Sequence, residues 1–185
     1  NILIDCGEGT QRQLQIIGVS PSKINKIFIT HWHGDHVLGL PGLLQTINSQ
    51  KKQEQLEIYG PKETKKFLSL IQKIFILQRG NVKIKVREIT KKQEIKFGLF
   101  KVICKELSHV APCIGYSFMQ NDKRKINLDY IKKFGLKTHP LIGELQKGKD
   151  IVYNNQKISC KKATYLKKGK KITFILDTKY TKDLI

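Results

Sequence analysis

Acidic residues and cysteine are scarce in this chain of 185 residues, and long apolar runs are missing; each shortage narrows what the protein can be. Fifteen Asp and Glu stand against 35 Lys and Arg, a net charge of +20 that attracts polyanions such as nucleic acid. Ile, Lys and Asn are all abundant, a bias that an AT-rich genome also produces, so charge alone selects no partner. The four cysteines, Cys6, Cys104, Cys113 and Cys160, are scattered. That excludes the paired spacing of a zinc knuckle and the density of a secreted disulfide scaffold, and reads as reduced, mostly buried thiols in a cytoplasm. No stretch approaches the ~18 apolar residues of a membrane span, and the first residues lack the layout of a signal peptide. The expectation is a soluble, cytoplasmic protein with no membrane partner and one ordinary domain, without internal repeats.

Against these shortages stands one dense cluster. Thr30-His31-Trp32-His33-Gly34-Asp35-His36 places three imidazoles and a carboxylate in six consecutive positions. Histidine is the commonest transition-metal ligand, mostly neutral at physiological pH, and a carboxylate adds a harder oxygen donor. The set suits zinc or a similar first-row cation. Ile24 to Thr30 is β-branched and aromatic and reads as a buried strand, so the cluster opens where that strand ends. There the side chains can splay, His31 and His33 facing one metal while Asp35 and His36 turn toward a second, with Gly34 permitting the bend. Four ligand-type side chains at a strand end have no evident packing role.

Periodicity places the rest. Ile2–Ile4 reads as a strand, Cys6–Gly9 as a turn, and Thr10 as the cap of a helix that Gly18 ends. An apolar helix is expected from about Val37 to Asn48, a strand over Leu56–Tyr59, and, after Gly60-Pro61, a second helix whose Phe67, Leu68, Ile71, Ile74 and Phe75 should all be core. Val82–Arg87 alternates as a half-buried strand with its basic face in water. Further strands are expected at Leu99–Leu107 and Ile114–Met119, then short helical pieces over Gln120–Lys149 with Leu128, Ile131 and Phe134 on one face. Tyr153-Asn154-Asn155-Gln156 predicts a hairpin turn before strands that end at Leu176. Short turns between several strands argue against a purely parallel sheet and for a layered α/β architecture.

Three stretches give this pattern a family. Ile4 to Leu14, His31 to His36 followed by Gly39-Leu40-Pro41-Gly42-Leu43-Leu44, and Ser108-His109-Val110 before Gly115-Tyr116 resemble the metallo-β-lactamase fold and, within it, the tRNase Z (ribonuclease Z) family, which trims the 3′ trailer from precursor tRNA. The His-x-His-x-Asp-His pattern belongs to the whole superfamily; the Cys-Gly-Glu-Gly-Thr-Gln and Gly-Leu-Pro-Gly-Leu-Leu segments are more particular. The resemblance implies an αββα sandwich with mixed sheets over residues 1–185, with an arm inserted at about 120–150. It implies two Zn2+ ions, or Mn2+, with His31, His33 and His109 on one, Asp35 and His36 on the other, and Asp177 bridging. Leu176 stands where the family usually has Gly before this Asp. A hydroxide shared by the metal pair would be the nucleophile, Asp35 a general base, and Asp5 a residue bracing the ligand loop.

The same resemblance puts an RNA grip in the arm. His139-Pro140 lies where the family has a Gly-Pro tip, and Lys132, Lys133 and Lys137, with Lys123, Arg124, Lys125, Lys147 and Lys149, would contact phosphates. A homodimer is implied as well. The chain begins in an apolar run and ends in what could open a helix, so a fragment is expected, with a final metal-binding His and a leaving-group His beyond residue 185 and weak or no activity in isolation. Two other readings stay open: a hydrolase of a small ester or sulfate ester on the same fold, and a truncated, non-catalytic RNA-binding copy.

Overall fold

The computed structural model describes residues 1–50, 55–75, 82–136 and 138–182; Lys137 of the expected RNA grip lies outside them. The chain divides into two compact units. Unit 1 comprises residues 1–95, 102–117 and 173–185, and unit 2 residues 96–101 and 118–172.

Unit 1 opens with a parallel sheet, β1 (Ile2–Ile4), β2 (Lys26–Phe28), β3 (Gln55–Pro61) and β4 (Lys83–Ile89), in the order β1-β2-β3-β4. Parallel neighbours need crossovers, and helices supply them: α1 (Thr10–Ile16), then α2 (Gly34–Val37) with α3 (Leu40–Gln50), then α4 (Thr64–Ile74). Ile27, Leu56 and Ile58 from the strands, and Ile29 just past β2, pack with Leu14, Leu40, Leu43, Leu44, Ile47 and Leu68 from the helices. A second sheet, ordered β12-β7-β6-β5, is made by β5 (Gln93–Phe97), β6 (Phe100–Leu107), β7 (Cys113–Gln120) and β12 (Lys171–Phe174). Tyr116 of β7 is fully buried and donates to the Ile29 carbonyl oxygen at 2.6 Å, and its ring meets Phe28 edge-on. Tyr116→Phe is expected to lower unfolding free energy by about 1–2 kcal/mol, the cost of one orphaned buried carbonyl, read from the urea midpoint.

Several expectations change in detail. Thr10 is the first residue of α1 rather than its cap: Gly9, at φ 75°, precedes the helix, and the Thr10 hydroxyl turns back to donate to the Gly7 carbonyl at 2.7 Å. The helix expected from Val37 begins earlier, at Gly34, and breaks before α3, because the Gly39 amide donates to the Cys6 carbonyl at 2.9 Å instead of continuing the helix. In α4 only Leu68 of the five expected core residues is buried; Phe67 and Ile71 are half-buried, and Ile74 and Phe75 are exposed. Periodicity reports a face, and that face is covered only as far as the sheet beneath it extends.

Unit 2 has its own core of Ile131, Leu136, Leu145, Ile151, Ile158, Cys160 and Ala163. Residues 123–126, expected as helical, form strand β8 (Lys123–Ile126), paired antiparallel with β11 (Thr164–Lys167). A four-residue strand with one partner leaves too weak an alternation to read from sequence. The helices α5 (Leu128–Lys132) and α6 (Leu141–Gln146) do form, although Leu128 is exposed. The hairpin β9 (Ile151–Tyr153) and β10 (Gln156–Ile158) turns at Asn154 and Asn155, both at positive φ, as the Asn-Asn pair predicts. A short helix α7 (Cys160–Ala163) leads into β11.

All four cysteines are free and buried. Burial pushes the Cys6 and Cys104 thiols up to about 12, and burial reinforced by Asp5 and Asp177 pushes Cys113 up to about 11. Native protein is therefore expected to leave a thiol-reactive chromogenic disulfide unreduced at pH 8, whereas denaturant should release all four thiols.

Candidate metal centre

The carboxyl ends of β1 and β2 deliver Asp5 and the run from Thr30 to His36, as the open ends of parallel strands commonly deliver functional groups. Close backbone approach sets the stage. A Cβ on Gly7 would overlap the Asp35 carbonyl oxygen, and one on Gly39 would overlap the Gly7 carbonyl oxygen. The Cys6 amide donates to the His36 carbonyl at 2.7 Å. These contacts explain physically why glycine flanks both segments.

His31 is completely buried and His33 and His109 half-buried. His33 Nδ1 lies 3.0 Å from His31 Nε2 and 3.2 Å from His109 Nε2. Three imidazole nitrogens at that spacing match the edges of a tetrahedron around one zinc-sized ion, about 3.3 Å for metal–nitrogen bonds of about 2.0–2.1 Å. Burial, reinforced by His36, His33 and His109, holds the His31 imidazole below its usual range, which favours the neutral, ligand-competent form.

Asp5 organises the ring orientations from behind. Its Oδ1 accepts from the Thr30 amide at 2.7 Å; its Oδ2 accepts from the Thr30 hydroxyl and from His36 Nδ1, each at 2.7 Å. The Thr30 hydroxyl, having donated to Asp5, accepts from His31 Nδ1 at 3.1 Å. Both histidines thus carry their proton on Nδ1 and turn a bare Nε2 outward. Sequence reasoning named Asp5 as bracing the ligand loop and did not name Thr30, whose position directly before the first histidine was the available signal.

Asp177 follows β12 and is half exposed. The Thr178 hydroxyl and the Lys179 amide both donate to the Ser108 carbonyl, at 3.1 and 2.7 Å, fastening this segment beside His109. Asp177 Oδ2 lies 3.8 Å from His31 Nε2 and 3.8 Å from His36 Nε2. Asp35 Oδ2 lies 3.5 Å from His36 Nε2, with its side chain 76% exposed. Two groups of possible ligands result, His31-His33-His109-Asp177 and Asp35-His36-Asp177, each with donor atoms within 4.8 Å of one another. All six sequence-derived ligand candidates come together, and Asp177 is common to both groups.

The expected RNA-contact residues lie in unit 2, apart from this cluster in sequence. Lys132 pairs with Asp129 at 3.6 Å, and Lys133 is exposed at the end of α5. His139 accepts from the Leu141 amide through Nδ1 and packs edge-on against Tyr153, and Pro140 leads into α6.

Comparison with known proteins adds a family to the geometry. Residues 1–158 match the family model described as Anti-Pycsar protein Apyc1. The ribonuclease Z of Nanoarchaeum equitans is 38% identical over 184 residues, 100% of this chain and 58% of that protein. The chain therefore spans somewhat more than half the length of that curated relative. Human tRNase Z, short form, superposes with a TM-score of 0.57 at 33% identity over 64% of this chain and 54% of its own. The metallo-β-lactamase fold protein YhfI of Bacillus subtilis superposes at 0.51 with 19% identity over 63% of this chain and 44% of its own, a likeness of fold alone. The fold neighbours and the His/Asp donor set together imply a metal cofactor.

Proposed function

Because the chain belongs to the metallo-β-lactamase-fold family described as Anti-Pycsar protein Apyc1, with ribonuclease Z proteins among its relatives, we propose that the complete protein is a metal-dependent endoribonuclease that removes the 3′ trailer from precursor tRNA. The observation that supports the reading is Asp177 Oδ2, 3.8 Å from both His31 Nε2 and His36 Nε2 and so common to both groups of possible metal ligands. Identity to ribonuclease Z along the whole chain favours RNA over the role named in the family model's description.

In this reading His31, His33 and His109 would hold one ion and Asp35 and His36 the other, with Asp177 offering its carboxylate to both groups; the nitrogen-rich first group would favour zinc, and the carboxylates would admit manganese. A bound pair of divalent cations supplies the charge that acidifies a water and stabilises the phosphoryl oxygens of an in-line displacement. The chain's own residues do the rest. Asp35, exposed beside His36, accepts the proton of the attacking water. Asp5 and Thr30 hold the two imidazoles so that their bare nitrogens need no reorientation. As the water oxygen bonds to phosphorus the P–O3′ bond breaks, so that the tRNA keeps a 3′-hydroxyl, its proton drawn from bulk water, and the trailer leaves with a 5′-phosphate. Lys132, Lys133, Lys137, His139 and Pro140 grip the folded RNA by shape and phosphate. No helix among the described residues is long and apolar enough to cross a membrane; the cytoplasm is proposed from the scattered cysteines and the homodimer from family resemblance.

The test is cleavage of a precursor tRNA by the protein from the complete reading frame, with the product end read by sequencing and by ligation to its 3′-hydroxyl. Metal-loaded protein that binds precursor tRNA and never cleaves it would sink the nuclease reading.

A further inference from the structure

A second feature of unit 1 adjoins His109. A cavity of about 390 Å³, within the range of about 300–1,000 Å³ typical of small-ligand sites, is lined by residues of the β3–α4 junction, the end of β4 and the loop between β6 and β7. Its wall combines three chemistries. Pro61, Val110 and Pro112 are compact apolar groups, and Val110 is 82% exposed although it directly follows a ligand candidate. Lys62 brings an ammonium that makes no ion pair with a described residue. Thr90 is the one hydroxyl and Glu106 the one carboxylate of the lining, and Glu106 is exposed and free of any described partner. An apolar wall exposed at Val110 and Pro112, with a cation and an acceptor that have no described partner around one cavity, has no packing purpose. Together they complement a nucleotide, which presents a flat base, a phosphate and, on cytosine, adenine or guanine, an amino group at the base edge.

We propose that this cavity is a subsite for one unpaired nucleotide flanking the scissile phosphate, with its base on the exposed Val110 and Pro112, its phosphate toward Lys62 and its amino edge toward Glu106. The inference rests on the nuclease reading for the word scissile, while the nucleotide chemistry stands on the lining itself. His109 lies on the cavity wall and in the first ligand group, so an occupant of the cavity abuts the reacting phosphate. A base seated there must be unstacked, which fits a single-stranded end better than the paired stem.

The experiment titrates cytidine 5′-monophosphate into the complete protein in EDTA, so that metal–phosphate contact cannot contribute, and follows binding by ligand-observed NMR. Saturable one-site binding is expected, weakened at least about fivefold by Lys62→Ala and by Val110→Asp, both solvent-exposed positions whose variants should melt as wild type does. The same variants should raise KM for precursor tRNA by a similar factor. Absence of saturable binding at millimolar nucleotide, or equal binding by both variants, overturns the subsite even if precursor tRNA is cleaved. Nucleotide binding that depends on Lys62 and Val110 in a protein that cleaves no precursor tRNA sinks the nuclease reading and leaves the subsite standing. Equal affinity for uridine 5′-monophosphate overturns the role given to Glu106.

Discussion

His33→Ala in the complete protein is expected to lower affinity for the first metal ion by more than about 100-fold, and precursor-tRNA cleavage by at least the same factor. The scale follows from geometry. His33 Nδ1 is the shared vertex of the imidazole triad, 3.0 Å from His31 Nε2 and 3.2 Å from His109 Nε2. Its loss leaves two nitrogens and the half-exposed Asp177. Replacing residues that merely orient ligands costs about 10–100-fold in affinity, and a ligand itself should cost more. Stability should change little without metal, because His33 is only half-buried and its ring contacts are to other histidines. Competition against a chromophoric chelator measures the affinity, and a Lys132→Ala variant supplies a control with an intact centre. Tight metal binding by His33→Ala would refute the ligand assignment.

How far the sequence disclosed this centre depends on the range of each interaction. His31 to His36 is contiguous, so its ligand character is visible without any fold. His109 and Asp177 are 73 and 141 residues beyond His36, and nothing local marks either as a ligand; the resemblance named them, and the structure places both beside the cluster. Thr30 escaped because its part depends on two partners, Asp5 and His31, of which only one is adjacent. Strands β2 and β3 were legible because largely buried strands read as apolar runs, and β4 because its alternation marks a half-buried strand. Strand β8 was not, since its four residues, Lys123 to Ile126, owe their conformation to pairing with Thr164 to Lys167. Ile74 and Phe75 misled for a related reason: a periodic face says nothing about where its partner ends.

Asp5 offers the sharpest separation of stability from metal binding. Asp5→Ala leaves three inward-facing donors without an acceptor: the Thr30 amide, the Thr30 hydroxyl and His36 Nδ1. At about 1–3 kcal/mol for each orphaned group before relaxation, the loss should reach about 3 kcal/mol or more. Alanine also sits poorly at the left-handed φ of 55° that Asp5 adopts, at a further cost of about 1 kcal/mol. Asp5→Asn behaves differently. Asparagine tolerates that backbone conformation and preserves volume, but it presents one acceptor where two are used. If its carbonyl keeps the Thr30 amide, its amino group faces His36 Nδ1 and drives the ring to the tautomer that protonates Nε2, the atom turned toward Asp35 and Asp177. The second ion should then bind about 10–100-fold more weakly, with a much smaller loss of stability than alanine produces. Urea denaturation of the metal-free variants, paired with metal titrations, separates the two effects. Wild-type affinity for both ions in Asp5→Asn would show that Asp5 supports the fold without setting the imidazole tautomers.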